Sequence, residues 1–250
     1  MDITNEQWNR IEPIIRSLTP PRDPRGRPAR DPRDVLNGIL WVLRTGAPWK
    51  DLPQRYPPYQ TCHRRFQQWV RQGVFQRIVQ EVAEDLYERG NLDIREAFID
   101  GSFAPAKKRG LAVGKTKRGK GTKIMAITDA AGIPLAAHVG SASPHEVKLV
   151  EETIDSGFIE YAPYRLVGDK AYGRDGPDIK LLFERGVEMI APHRGGRKKP
   201  KTQDGRKLRR YRRRWKVERL LPGFRTSGAW LSAMSTIQRI SLVWVSLHAL

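Results

Sequence analysis

The sequence has 250 residues and a formal net charge of +19, which is large enough to indicate a polyanionic partner such as a nucleic acid. A single cysteine excludes an intrachain disulfide framework, and the longest apolar run, residues 240–247, is too short to span a bilayer. The first residues lack the apolar core of a signal peptide, so we expect a cytoplasmic protein that associates with the nucleoid and not with a membrane.

The first 90 residues are predicted to form an all-α domain. Apolar residues recur at helical spacing after Thr4, between Asp31 and Gly46, and over about 60–72 and 74–88. Thr4 and Asp31 are suitable N-cap residues, and Pro32 suits a first helical turn. The connector at residues 19–30 is rich in proline and arginine and cannot be helical.

The third predicted helix carries polar residues that can read DNA bases. Arg64, Gln67 and Gln68 project from its outer face, and arginine and glutamine can pair with guanine or adenine edges. Two helices around a glycine-containing turn are typical of a helix-turn-helix arrangement. The alternative is an ordinary helical bundle with a polar face. We therefore predict that residues 1–90 form a helix-turn-helix-like DNA-binding domain.

After Gly90 the hydrophobic period changes from helix to strand. Strands are predicted at about 97–102, 123–129, 133–138, 165–169 and 187–191, with a helix over 177–185. This order predicts an α/β domain over residues 91–221, in which helices flank a mixed sheet. The basic segment 107–120 contains several glycines and is predicted to be a flexible loop.

Three acidic residues stand out in this second domain. Asp100 and Asp169 each end a predicted strand, and Glu218 lies on a predicted basic helix, where it shares a face with Tyr211 and Arg214. Converging carboxylates repel one another unless a cation lies between them, and hard oxygen ligands suit Mg²⁺. Two such ions about 3.5–4 Å apart can support in-line attack on a phosphodiester. The alternative for the helix is a solvated basic surface with one internal ion pair.

Another acidic residue has a simpler interpretation. Ser143 and Glu146 have the spacing of a capping box, with Pro144 at the first helical position. We therefore predict that Glu146 caps a helix, and the alternative is a metal-binding role for His145 or Glu146.

These motifs resemble those of bacterial insertion-sequence transposases of the Asp-Asp-Glu type, in the fifth insertion-sequence family and its relatives. FIDGS around Asp100 and LVGDKAYG around Asp169 are similar to the first two acidic motifs of that family. The Tyr211, Arg214 and Glu218 spacing is similar to its Tyr–Arg–Glu signature, and GAPWKDLP and HRRFQQW resemble its leading domain.

The resemblance implies a ribonuclease-H-like catalytic domain behind a helical DNA-binding region. It implies that Asp100, Asp169 and Glu218 bind two Mg²⁺ or Mn²⁺ ions, and that Tyr211 and Arg214 contact DNA or brace Glu218. The implied partners are double-stranded DNA at the terminal inverted repeats of the element and target DNA. Since two ends must be brought together, a homodimer is expected. We further predict phosphate contacts from basic residues near the third acid, namely Lys198, Lys199 and Arg210.

The resemblance stops shortly after Glu218. The family continues with an apolar and aromatic helix, whereas this chain has Pro222 and Gly223, which should end the helix near Leu221. One set of synonymous codons for the sequence from Pro222, read two bases later, encodes Trp-Leu-Gln-Asn-Phe-Arg-Arg-Leu-Ala-Val-Arg-Tyr-Glu. That is similar to the family's continuation. We therefore interpret residues 222–250 as an aberrant, apolar tail produced by a frameshift.

Three functions are consistent with these features. The first is a transposase that cuts its element's ends and joins them to target DNA. The second is a catalytically impaired DNA-binding remnant that occupies the ends without cutting. The third is a structure-specific nuclease that uses the same three acids.

Overall fold

A computed structural model describes residues 2–20, 28–105, 113–117, 119–173, 175–193, 195, 200 and 204–218. These residues divide into two compact units, with the boundary between Val82 and Ala83. The domain limits predicted from the sequence, at residues 90 and 221, stay predictions. The predicted aberrant tail, 222–250, lies outside the described residues.

The first unit is helical, as predicted. Its helices are α1 (Asn5–Leu18), α2 (Pro32–Thr45), α3 (Tyr59–Arg71) and α4 (Val74–Glu88), with a 3₁₀ helix at Trp49–Asp51. α4 crosses the boundary between the units. Thr4 forms a capping box with Gln7, and Asp31 accepts the backbone N–H of Arg33, which confirms both predicted N-caps. α2 ends at Gly46, whose φ of 70° is left-handed and favours glycine.

The apolar stripes of these helices form one core, which includes Ile11, Leu36, Ile39, Phe66, Trp69, Phe75 and Ile78. Phe75 contacts two aromatic rings of α3, with centroids 5.7 Å from Phe66 and 6.0 Å from Trp69. Residues 46–58 separate α2 from α3, a connection longer than the roughly 3–4 residues of a helix-turn-helix turn. The helix-turn-helix interpretation therefore stays a prediction.

The second unit is built on a six-stranded sheet. Its strands are β1 (Ala97–Pro105), β2 (Gly114–Thr116), β3 (Gly119–Asp129), β4 (Pro134–Ser141), β5 (Arg165–Val167) and β6 (Glu188–Ile190). β1 is central, between antiparallel β3 and parallel β5; β4 and β2 pair with β3, and β6 pairs with β5. Four strands joined by antiparallel pairing, β1–β4, and two that continue from β1 in parallel, β5 and β6, form the predicted ribonuclease-H-like mixed sheet.

Two strand predictions differ from the structure. β1 continues to Pro105, so Asp100 lies within a strand and not at its end, because antiparallel pairing with β3 extends along all of β1. β3 begins at Gly119, and part of the predicted flexible loop forms β2. Glycine at 121 allows the pairing, since a Cβ there would lie 2.3 Å from the Phe103 ring. Residues 107–112 and 118 of that loop lie outside the described residues.

Helical segments lie between and after the later strands. They are a 3₁₀ helix at Glu146–Leu149, α5 (Val150–Asp155), α6 (Asp175–Arg185), α7 (Gly205–Leu208) and a 3₁₀ helix at Arg209–Arg213. Residues 215–218 are again α-helical. Within the described residues, none of the helices is long and apolar enough to cross a membrane.

The prediction of one continuous α-helix around Tyr211 is wrong over Arg209–Arg213. A 3₁₀ helix places residues i and i+3 in line. Arg210 and Arg213 use this spacing to reach one buried carboxylate, that of Glu96. The ion pairs thus favour the tighter helix at this point.

Candidate active site

Strand register brings the first two predicted acids together. In the parallel pair, Ala97 lies beside Leu166 and Phe98 beside Val167. Continued at the same offset, the register would set Asp169, two residues after β5 ends, opposite Asp100. Gly101 N–H donates to the Asp100 carboxylate (2.9 Å), and Ala171 N–H donates to that of Asp169 (2.6 Å). Backbone groups therefore orient both carboxylates beside the carboxyl end of β5.

Asp100 has a buried and strongly negative environment. Its side chain is only 16% exposed. Burial raises the pKa of Asp100, and the charges of Asp169 and Glu218 raise it further, although Arg214 and the Gly101 N–H lower it. All three predicted acids are thus near enough to interact electrostatically.

Arg214 links the first and third acids. Its Nη1 lies 3.5 Å from Asp100 Oδ1, and its Nη2 donates to the Glu218 carboxylate. Its guanidinium carbon also lies 5.5 Å from the centroid of the Tyr211 ring. Although burial lowers the pKa of Arg214, the carboxylates of Asp100 and Glu218 raise it overall. The predicted common face of Tyr211, Arg214 and Glu218 is therefore confirmed despite the change of helix type.

The segment that carries Arg214 and Glu218 is attached to the sheet by Val217. This side chain is fully buried against Phe98, Val167 and Ile190. The adjacent Lys216 ammonium donates to the carbonyl of Ala130. Glu218 itself stays accessible, with 47% of its side chain exposed. The packing thus holds one side of the segment while its acidic residue faces outward.

Glu146 does not act as the predicted cap. The N-cap of the 3₁₀ helix is His145, whose Nδ1 accepts Val147 N–H at 3.5 Å. The helix begins at Glu146 itself, so this side chain cannot reach back across a first turn. Its carboxylate instead lies 3.9 Å from the ammonium of Lys123. Burial raises the pKa of Glu146, and the charges of Asp169 and Asp100 raise it further, so Glu146 also lies near the acids.

Glu96 is an acidic residue that the sequence analysis did not single out. Its side chain is 8% exposed, and its carboxylate lies 2.7 Å from Arg210 Nη1 and 2.7 Å from Arg213 Nη2. Arg210, a predicted phosphate contact, thus has a protein partner in this structure. Its contact with DNA stays a prediction.

The remaining predicted DNA contacts have different settings. Arg64 and Gln67 are exposed on α3, whereas Gln68 is half-buried and accepts a hydrogen bond from Arg65 at 3.0 Å. Lys198 and Lys199 lie outside the described residues. The predicted contacts of these residues with DNA bases and phosphates stay predictions.

The oxygen donors of this candidate site suit a hard cation. They are carboxylate oxygens, as Mg²⁺ and Mn²⁺ prefer, and their mutual repulsion is already visible at Asp100. Among the described residues, no group of three or more acidic, histidine or cysteine side chains is arranged to hold a metal ion as it stands. The cation that contacts both Asp100 and Glu218 here is Arg214. The carboxylates of Asp100, Asp169 and Glu218 are therefore of the donor type that Mg²⁺ and Mn²⁺ prefer.

Comparison with known proteins agrees with the fold and the sequence motifs. Residues 3–79 match the family model "Putative transposase of IS4/5 family", and residues 91–224 match "Transposase DDE domain". The Insertion element IS402 uncharacterized 16.2 kDa protein of Burkholderia cepacia is 36% identical over 120 residues, 46% of this chain and 80% of that protein. Protein y4sN of Sinorhizobium fredii is 27% identical over 118 residues, 47% of this chain and 87% of that protein.

A solved structure is similar in fold. It is the piggyBac transposase synaptic complex with hairpin DNA, with a TM-score of 0.52 and 12% identity over 99% of this chain and 72% of that one. The family models together cover most of the chain. This chain belongs to the transposase DDE-domain family of bacterial insertion sequences.

Proposed function

We propose that this protein cleaves DNA at the ends of an insertion element and joins those ends to target DNA, in a reaction that depends on divalent metal ions. The observation that carries the proposal is the position of Arg214, which contacts both Asp100 and Glu218, while the charge of Asp169 also acts on Asp100. This arrangement occurs in a strongly basic chain of a transposase family. Membership of that family supports a role in DNA transposition.

Asp100, Asp169 and Glu218 would hold the ions, Mg²⁺ or Mn²⁺. Two bound ions would supply an activated oxygen nucleophile and stabilise the leaving oxygen of the phosphodiester. The protein's own contribution is orientation. The Gly101 and Ala171 amides fix the two aspartates, and the packing of Val217 fixes the segment that ends in Glu218.

In this proposal Arg214 also contacts the DNA. It neutralises part of the negative charge while it holds Glu218, and its guanidinium suits a DNA phosphate. Tyr211 is half-buried against the guanidinium and would contact the DNA with it.

Double-stranded DNA is the proposed partner, at the terminal inverted repeats and at the target. Arg64, Gln67 and Gln68 would read bases. Lys198, Lys199 and Arg210 would contact phosphates. Because two ends must be held together for joining, the acting species is proposed to be a homodimer in the cytoplasm, associated with the nucleoid.

A catalytically impaired DNA-binding remnant is the second candidate. The observation that favours it is Pro222, four residues after Glu218, whose ring would clash with the Glu218 carbonyl in a continued helix. Glu218 would then lie in a last helical turn without the packing that normally follows it.

One experiment separates the candidates. The full chain and a version with the alternative frame after Leu220 are incubated with labelled element-end DNA, target DNA and Mg²⁺. We expect the restored version to cleave and join, the chain as written to do so weakly or not at all, and both to bind the ends.

In the restored version, Asp100→Asn, Asp169→Asn or Glu218→Gln should each reduce cleavage by at least about 10²–10³-fold, because each removes an anionic oxygen from the site with little change in shape. End binding should survive. An Asp169→Asn protein that cleaves at the full rate would overturn the assignment of the acids. Equal cleavage by both chains would instead overturn the frameshift interpretation.

A further inference from the structure

The segment that carries the third acid, residues 205–218, is held by alternate residues in and directly before β1. Alternate side chains of a strand share a face. The contacts are Glu96 with Arg210 and Arg213, Phe98 with Val217, and Asp100 with Arg214. Asp100 belongs to the candidate site, whereas Glu96 holds the segment before it reaches that site.

The ion pairs of Glu96 lie where the segment is not α-helical. Arg209–Arg213 forms a 3₁₀ helix between α7 and the α-helical residues 215–218. A 3₁₀ helix turns by about 120° per residue and an α-helix by about 100°. Five residues in the tighter form thus rotate the end of the segment by roughly 100° relative to α7. The helix type at this point therefore decides which way Arg214 and Glu218 face.

Core packing on both sides of the 3₁₀ helix depends on this rotation. Leu208 and Val217 both pack in the cluster around Phe98. They are nine residues apart, so a continuous α-helix would set them on opposite sides, roughly 180° apart. The 3₁₀ helix reduces this angle to roughly 80°, which lets both residues face the same core.

Glu96 favours the tighter helix because its carboxylate is buried and has two partners. Each of its oxygens lies 2.7 Å from one guanidinium, of Arg210 or Arg213, and these arginines are in line on a 3₁₀ helix. The Glu96 side chain is 8% exposed, but those of the two arginines are 36% and 47% exposed. If Glu96 lost its charge, both arginines could return to water, and the segment would be freed without leaving a charge buried.

We propose that Glu96 is a positioning residue for the reaction, because its ion pairs keep the 3₁₀ helix and so direct Arg214 and Glu218 towards Asp100. The inference rests on the proposed function, since it assigns the placement of the third acid to Glu96. Glu96 acts through its two arginine partners and not as a catalytic residue.

Hydrogen exchange of the full chain without metal or DNA tests the placement of the segment. Glu96→Gln keeps the shape of the side chain and removes its charge. We expect the amides of residues 209–218 to exchange at least about tenfold faster, since the segment opens locally, while β3 and β4 are unchanged. Glu96→Asp retains the charge on a shorter side chain and should have a smaller effect. Circular dichroism checks folding, and Glu96→Asp carries the test if Glu96→Gln is unfolded.

Cleavage of element-end DNA measures the consequence for the reaction. In the version with the restored frame, Glu96→Gln should lower kcat by about 10–100-fold, the size of effect expected when a reacting group is slightly misplaced. The KM for end DNA should not rise, because a residue that only orients the site acts on the transition state and not on binding.

Leu181→Ala is the control for a loss of stability in the same unit. Leu181 is buried and lines a cavity with Met189 of β6, whereas the next residue, Ile190, faces the segment. Neighbouring strand residues point to opposite faces, so the control lies on the other side of the sheet. It should lower the melting temperature but leave kcat unchanged where the protein is folded. Exchange in residues 209–218 should rise no more than in β3.

The outcomes separate the two proposals. Faster exchange confined to residues 209–218 together with a lower kcat, neither of them in Leu181→Ala, supports the positioning role. If Glu96→Gln cleaves at the full rate, or if exchange rises equally throughout the second unit, that role is overturned although the proposed function stands. If the unmodified restored version cleaves no element ends, the proposed function fails and the positioning role fails with it.

Discussion

The two units of this protein bury different kinds of side chain. In the described part of the first unit, Asn37 is the one buried polar residue, and it accepts the backbone N–H of Ile3. The second unit buries several polar or charged side chains, namely Glu96, Ser102, Thr122, Thr128, Asp129 and Thr153. The first unit is thus held mainly by apolar helix packing, whereas the second also buries polar and ion-paired side chains.

This difference concerns function as well as stability. Four of these side chains lie on strands of the sheet, and Glu96 forms ion pairs with the segment that carries Arg214 and Glu218 in the candidate site. Glu96 and Arg210 are 114 residues apart in sequence, so their ion pair fixes that segment through a long-range contact. The comparison predicts that removing buried charges lowers the stability of the second unit. Apolar substitutions should lower the stability of whichever unit contains them, but only those in the second unit should also change the candidate site.

The largest effect should follow removal of both cations that face Glu96. Arg210→Ala combined with Arg213→Ala leaves a carboxylate that is 8% exposed without a counterion. Breaking a buried ion pair in this way costs roughly 3–5 kcal/mol of folding free energy. Chemical denaturation followed by hydrogen exchange should show the loss in peptides of the second unit and not in α1–α3.

Arg212→Ala is the control for that double variant. Arg212 is exposed, and it has no ion pair among the described residues. Its removal should change stability by less than about 0.5 kcal/mol. Equal destabilisation by Arg212→Ala would mean that the total positive charge matters and not the contacts of Glu96.

The same comparison explains which features the sequence could predict. Helices α1–α4 have apolar residues at helical spacing and local caps such as Thr4 and Asp31, so neighbouring residues determine them. The sheet and the proximity of Asp100 and Asp169 also followed from short apolar runs that end near an acid. These features depend on local pattern and on the general geometry of parallel strands.

What the sequence did not reveal depends on distant partners. Glu96 precedes a strand and carries no motif, and its cations come much later in the chain. Glu146 has the spacing of a capping box, and only the fold shows that the helix begins at Glu146 and that Lys123 faces it. The glycine at 101 was the one local signal, because a residue without a side chain beside a candidate acid can mark a close approach.

An intermediate loss of stability is expected from the same apolar substitution made once in each unit. Val217→Ala and Val35→Ala remove the same atoms from fully buried positions, one in each unit. Each should cost about 2 kcal/mol, from lost burial and a small cavity. Hydrogen exchange should assign each loss to its own unit.

Only Val217→Ala should also reduce DNA cleavage by the version with the restored frame. Val217 packs on Phe98, Val167 and Ile190 and so positions Arg214 and Glu218, whereas Val35 lies in the helical core. We expect at least a tenfold lower cleavage rate for Val217→Ala at a temperature where both variants are folded. If the two variants cleave equally well, the packing of this segment does not position the third acid.

The smallest expected effect is a difference in pH dependence between two buried aspartates. Burial raises the pKa of Asp100, as do Asp169 and Glu218, and burial also raises the pKa of Asp129. The native protein therefore binds each proton more tightly than the unfolded chain does. Ionisation then lowers the free energy of unfolding as the pH rises from the ordinary aspartate pKa, about 4, through the raised native value.

Asparagine should consequently have opposite effects at the two positions. Asp100→Asn removes a charge that its neighbours repel, so near neutral pH without divalent ions it should melt at a higher temperature than the unmodified chain. That difference should vanish below about pH 4, where the aspartate is protonated.

Asp129 instead accepts N–H groups at both oxygens, from Ala131, Ile133 and Asp93, and an amide group cannot accept at both. Asp129→Asn should therefore lose about 1 kcal/mol, and calorimetric melting from pH 4 to 8 measures both variants. If Asp100→Asn were destabilised like Asp129→Asn across that range, the Asp100 charge would be stabilising and the case for a cation-requiring acid cluster would fail.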